Sequence, residues 1–162
     1  MSLKLAPIVF AVLWSGLAAA ENHGPAPSCP AKTVDGTKVV DLAHSPGKVT
    51  YVDFWASWCW PCAQSFPFMN QLHAELHKQG VEIVAVNLDE DPKDAADFLK
   101  SHPANFTVVV DPQGKCPAVY EVKAMPTTYI IDRKGEIRHI HMGFKEGSKA
   151  EIKKQVQALL SE

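Results

Sequence analysis

Two cysteines, Cys59 and Cys62, stand two residues apart in FWASWCWPCAQSFP (residues 54–67), with Trp60 and Pro61 between them. Three kinds of chemistry use such a pair. A zinc site needs two more ligands, usually a second close Cys or His pair. Cys29 and Cys116 are solitary, and HIH at His139 to His141 is no such partner. A structural staple between residues three apart closes almost no loop, so it removes little entropy from the unfolded chain. Thiol–disulfide exchange remains, the ordinary reading of C-x-x-C beside a βα unit.

The flanking residues suit that chemistry. KVTYVDFW (Lys48 to Trp55) is rich in β-branched and aromatic residues and reads as a strand. Phe66, Met69, Leu72 and Leu76 recur at helical spacing after the cysteines, with Gly80 as the stop and Pro67 expected to kink the helix. Cys59 therefore falls at a helix N-terminus, where unpaired N–H groups and the helix dipole favour a thiolate. Cys62, one turn further in, is expected to be more buried and to resolve a mixed disulfide. Pro61 fits a first-turn position because it lacks an N–H. Trp58 is expected beside the site.

The other elements follow from period and punctuation. VEIVAVN (Val81 to Asn87) reads as a strand covered on both faces. Asp91-Pro92 opens a helix through KDAADFLKSH. FTVVVD is a strand, CPAVYEV a short helix, and TTYIID with EIRHIHM a hairpin. Ser148 to Glu151 reads as a capping box opening a last helix with Ile152, Val156, Leu159 and Leu160 on one face. An early hairpin turns at Asp35-Gly36. Alternating strands and helices predict an α/β domain whose mixed central sheet carries helices on both faces.

The 162 residues fit one domain. Residues 1–20 have a lone Lys4, an apolar run from Leu5 and Ala18-Ala19-Ala20, the pattern of a secretory signal peptide cleaved after Ala20. The run is interrupted by Pro7 and Gly16 and falls short of the roughly 20 residues a spanning helix needs. A retained leader would instead anchor the protein to the membrane. Glu21 to Pro30 reads as a loose polar lead-in to a domain over 21–162. The net charge of −2, without runs of Lys or Arg, argues against a nucleic-acid partner.

VDFWASWCWPC resembles the active-site stretch of the thioredoxin superfamily. FPFMNQLHAELHKQGVEIVAVNLDED, AMPTTYIIDRKGEI and the helix–strand segment between Pro92 and Asp111 resemble the periplasmic TlpA/ResA branch, which includes the DsbE/CcmG thioredoxins of cytochrome c maturation. The resemblance covers nearly all of the chain after the leader and implies a thioredoxin fold with an N-terminal hairpin and a central helix–strand insertion. It makes Cys59 and Cys62 the redox pair. Pro126 matches the superfamily's cis proline, which would turn the Met125 backbone toward a substrate strand. Asp53 matches the buried acid of thioredoxin. The branch commonly has Asn there, and ResA has Glu where this chain has Ser65. Ala85 replaces thioredoxin's nearby Lys.

Asp53 is accordingly expected to carry the acid–base role, burial raising its pKa; the plainer alternative is a strand Asp that only accepts hydrogen bonds. With Trp60-Pro61 between the cysteines, and none of the intervening His of a DsbA-type oxidant, the couple is expected to be reducing. Trp58, Trp60, Pro61, Met125 and Pro126 are the expected substrate contacts. The resemblance implies protein disulfides as substrates, in apocytochrome c or in copper-delivery proteins, and a membrane thiol donor of the DsbD/CcdA type. A monomer without metal or cofactor, beyond the Cys59–Cys62 disulfide itself, is expected in the periplasm.

Cys29 and Cys116 either form a second disulfide, as export favours, or are two buried thiols. His139, His141 and Met142 are copper-ligand types, but a pair alternating on an edge strand reads more simply as its solvated face. His44, His73, His77 and His102 read as surface positions. Two rivals to exchange remain. A peroxiredoxin-type peroxidase would carry P-x-x-x-T-x-x-C, and no Thr precedes Cys59 at that spacing. A copper-binding assembly factor would more naturally use C-x-x-x-C with a His.

Overall fold

The computed structural model describes residues 23–43 and 45–162. The leader at 1–20 and His44 lie outside them. A hairpin comes first, β1 (Pro30–Thr33) and β2 (Val39–Asp41), turning through Gly36 at φ +69°. Then come β3 (Val49–Trp55), α1 (Trp60–Leu76), β4 (Val81–Asn87), α2 (Pro92–Ser101), β5 (Thr107–Val110) and α3 (Lys115–Val119). The hairpin of β6 (Thr127–Ile131) and β7 (Ile137–Met142) leads to α4 (Lys149–Leu160).

The seven strands form one mixed sheet in the order β2-β1-β5-β4-β3-β6-β7. The centre, β5-β4-β3, is parallel, and both flanks pair antiparallel to it. Every residue of β3 is buried, as expected of a central strand covered on both sides. Its alternation divides the core: Val49, Tyr51 and Trp55 join α1, α2 and α4, whereas Val52 and Phe54 join Cys116 and Tyr120 of the α3 segment. This is the thioredoxin fold, with the early hairpin and the α2–β5 insertion.

Most boundary signals acted as their chemistry requires. Gly80 adopts φ +104°, the left-handed conformation that ends the turn following α1. Asp91 caps α2 by accepting from Lys93 N at 2.9 Å. α1 runs on through Pro67 as a single helix, whose buried face carries Phe66, Met69, Leu72 and Leu76.

Two expectations need correction. The box at Ser148 to Glu151 does not form, because the Ser148 hydroxyl is turned back to donate to Lys145 O (2.6 Å) within a 3-10 turn, Glu146–Ser148. The lead-in is not loose from His23 onward: backbone bonds from His23 N to Ile137 O (3.0 Å) and from Ala26 N to Gly135 O (2.9 Å) hold it against the start of β7.

Candidate active site

The strand-to-helix junction builds the site. β3 ends at Trp55, and the loop returns at once into α1, with Cys59 as its N-cap in an extended conformation (φ −86°, ψ 97°). Cys59 O accepts from Cys62 N (3.0 Å) and Ala63 N (3.3 Å), closing the first turn. Pro61 occupies that turn without forfeiting a bond, and the turn contains no acidic side chain to repel a thiolate at Cys59. Cys59 and Cys62 are joined as a disulfide, S–S 2.01 Å. Cys62 is wholly buried, while Cys59 keeps 6% of its surface at the edge of a groove.

That groove encloses about 530 Å3 and is lined by Trp58, Trp60, Pro61, Leu88, Val122 and Met125, with Cys59 in its wall. The two tryptophans are more than 70% exposed. So much uncovered aromatic surface is unusual away from a contact site. The Met125–Pro126 peptide bond is cis; Pro126 is buried, and Met125 borders the groove. Of the sequence-predicted contacts, Trp58, Trp60, Pro61 and Met125 thus line the same groove as Cys59, while Pro126 is buried beside Met125 and is not part of the lining. A second hollow of about 470 Å3, between the first hairpin and α2, has no cysteine or histidine in its lining.

Asp53 is fully buried in β3, on the side shared by Tyr51 and Trp55 and covered by α1. Ala85 of β4 and Thr128 of β6 stand directly across from it. The Thr128 hydroxyl donates to Asp53 Oδ1 at 2.6 Å, while Oδ2 has no hydrogen-bond partner. Desolvation pushes the carboxyl up to about 7, the Thr128 bond opposing part of the rise. Ser65 is buried as well, its hydroxyl donating to Cys62 O (2.9 Å).

Sequence reasoning missed Asp89, which fixes the loop leading to Cys59. Its buried carboxylate accepts from Ser57 N through both oxygens (3.1 and 3.0 Å), from Ser57 Oγ (3.0 Å) and from Asn87 Nδ2 (2.8 Å). The only local signal was an acid just past a buried strand. Cys29 and Cys116 are joined, S–S 2.02 Å; neither lines the groove, although Pro117, next to Cys116, does.

His139 and His141 share a face of β7, as alternation requires, and His141 Nε2 lies 2.7 Å from Gln155 Oε1 of α4. Among the described residues no group of three or more His, Cys, Asp or Glu side chains could hold a metal ion. His73 is half-buried rather than fully at the surface, and stacks on His77.

The sequence profile of the Redoxin family matches residues 21–157. The chain belongs to the Redoxin family. Within it the similarity runs to thiol-disulfide oxidoreductases. The chain is 32% identical over 135 residues to the thiol-disulfide oxidoreductase ResA of Bacillus subtilis (strain 168), covering 83% of this chain and 75% of that one. It is 35% identical over 118 residues to ResA of Geobacillus kaustophilus (strain HTA426), covering 73% and 67%.

A crystal structure of a Chlorobium tepidum protein assigned as the thiol:disulfide interchange protein DsbE superposes with a TM-score of 0.82 at 44% identity, over 88% of this chain and 99% of that one. The Cys59–Cys62 bond is thus the redox-active disulfide of a Redoxin-family thiol-disulfide oxidoreductase in the thioredoxin-superfamily TlpA/ResA/DsbE group. Its partners are proteins that exchange disulfides with it.

Proposed function

We propose that this protein is an exported reductant of protein disulfides, with Cys59 attacking and Cys62 resolving. The observation that carries the reading is Cys59 itself: an N-cap thiol at the wall of an apolar groove, with its partner sulfur sealed beneath. In the reduced enzyme, the Cys59 thiolate attacks one sulfur of a substrate disulfide. A mixed disulfide forms, and the other substrate sulfur leaves as a thiolate. Cys62 then attacks Cys59 Sγ and loses its proton to Asp53, releasing the second substrate thiolate and closing the Cys59–Cys62 bond. Two electrons pass to the substrate, and a dithiol donor must restore them.

Export is supported by the leader pattern and by four cysteines paired in two disulfides, which suits an oxidising compartment. Among the described residues, no helix is long and apolar enough to cross a membrane. Resemblance to the cytochrome c maturation thioredoxins favours apocytochrome c or copper-delivery proteins as substrates, a DsbD/CcdA-type membrane protein as donor, and the periplasm as location. The reductive direction rests on Trp60-Pro61 supplying no cation between the cysteines, which leaves the helix end as the local stabiliser of the thiolate within the motif, with Lys123 further along the groove's lining. A couple as oxidising as DsbA, about −120 mV, would overturn it.

Cys62→Ala is expected to stall Cys59 in a mixed disulfide with its natural partner, seen as a band that disappears on reduction. Capture of that partner by Cys59→Ala instead would reverse the assignment of the two sulfurs. Trp60→Ala removes much of the exposed aromatic wall and is expected to raise KM for protein disulfides roughly tenfold, as loss of a contact anchor does. Reduction of a small-molecule disulfide, which does not span the groove, serves as the control and should hold near the wild-type rate.

A further inference from the structure

The core layer that contains Cys59 and Cys62 also holds Tyr51, which is linked to two further polar side chains, Thr128 and Asp53, all three at least 96% buried. Thr128 has one hydroxyl proton, and it goes to Asp53 Oδ1 at 2.6 Å. Tyr51 OH lies 3.3 Å from the same Thr128 oxygen, so Tyr51 is left to donate to it. Only one carboxylate oxygen is engaged; Oδ2 is buried without a partner. Buried acceptors are rarely left so, and an exception in the core layer shared with Cys62 invites a functional account.

We propose that Thr128 is a positioning residue: its hydroxyl, oriented by Tyr51, immobilises Asp53 through Oδ1 and reserves Oδ2 as the oxygen that takes and returns the proton. This rests on the acid–base role proposed for Asp53. The surroundings leave Thr128 as the tuning group. On β3, Tyr51 is the other titratable neighbour on that face, and burial together with the Asp53 charge pushes its own pKa up, keeping it a neutral donor. β4 presents Ala85. α1, which packs on this side of the sheet, carries Cys62, disulfide-bonded, and Ser65, already bonded to Cys62 O. α4 adds Ile152 and Val156 to the same cluster. β7 places His141 across from Thr128, bonded to Gln155. Among the described residues, no ion pair reaches Asp53.

A donor removed from a carboxylate favours the protonated form. Thr128→Val, nearly isosteric, should therefore raise the Asp53 midpoint by about one pH unit, read from carboxyl carbon-13 resonances of the oxidised protein. Thr128→Ser should restore the wild-type midpoint. Tyr51→Phe should move it less and in the same direction. Should Thr128→Val fail to fold, Thr128→Ala provides the same comparison. An unchanged midpoint in the valine or alanine variant overturns the positioning role. The pH profile of disulfide exchange separates this from the reading beneath it: a carboxyl that shifts while the profile stays fixed sinks the Asp53 shuttle and leaves the Thr128 bond standing.

Discussion

Asp53→Asn is expected to make the oxidised protein more stable than wild type by about 3–4 kcal/mol at pH 8, and to leave stability nearly unchanged at pH 4. The folded carboxyl titrates at about 7 against an ordinary 3.8. Between these values the folded state holds a proton that the unfolded chain has released, so stability declines as pH rises. Each unit of displacement corresponds to about 1.4 kcal/mol. Below the unfolded value both states are protonated and the penalty vanishes; above the folded value it is complete. Asparagine keeps an acceptor for Thr128 and never ionises, so it escapes the penalty. Its unpaired Nδ2 group offsets part of the gain. Denaturant unfolding at both pH values is the measurement, and equal stability of the two proteins at pH 8 would show that Asp53 is not a desolvated acid.

Replacing both Cys29 and Cys116 with alanine is expected to cost about 4–5 kcal/mol. The bond joins residues 87 apart, from the first hairpin to α3, and the chain-entropy relation gives that figure for a loop of this length. Substituting both residues avoids leaving a lone thiol. The loss should lower the melting temperature by roughly 10 °C or more for a domain of this size. Urea unfolding of the oxidised variant and the wild type tests it; coincident curves would mean that the bond constrains nothing the fold does not already constrain.

Local chemistry made much of this legible. C-x-x-C beside a strand, Asp91-Pro92 and Gly80 each carry their physical reason within a few residues, and each lies where that reason requires. What depends on distant partners was not readable. Cys29 could not choose between Cys116 and solitude from spacing alone, and nothing in β1 announces its pairing with β5. Ser148 has the sequence of a cap but spends its hydroxyl on Lys145. Thr128 was hidden for the same reason: its importance lies in standing opposite Asp53, a matter of register 75 residues apart. Asp89 is a loop acid until Ser57 is brought to it across the sheet end.

α1 begins at the reactive sulfur and continues without a break into Phe66, Met69 and Leu72 of the core. The helix end proposed to favour a thiolate at Cys59 is thus continuous with the segment that packs the core. Warming should leave the thiol's acidity intact until the domain melts, then abolish both together.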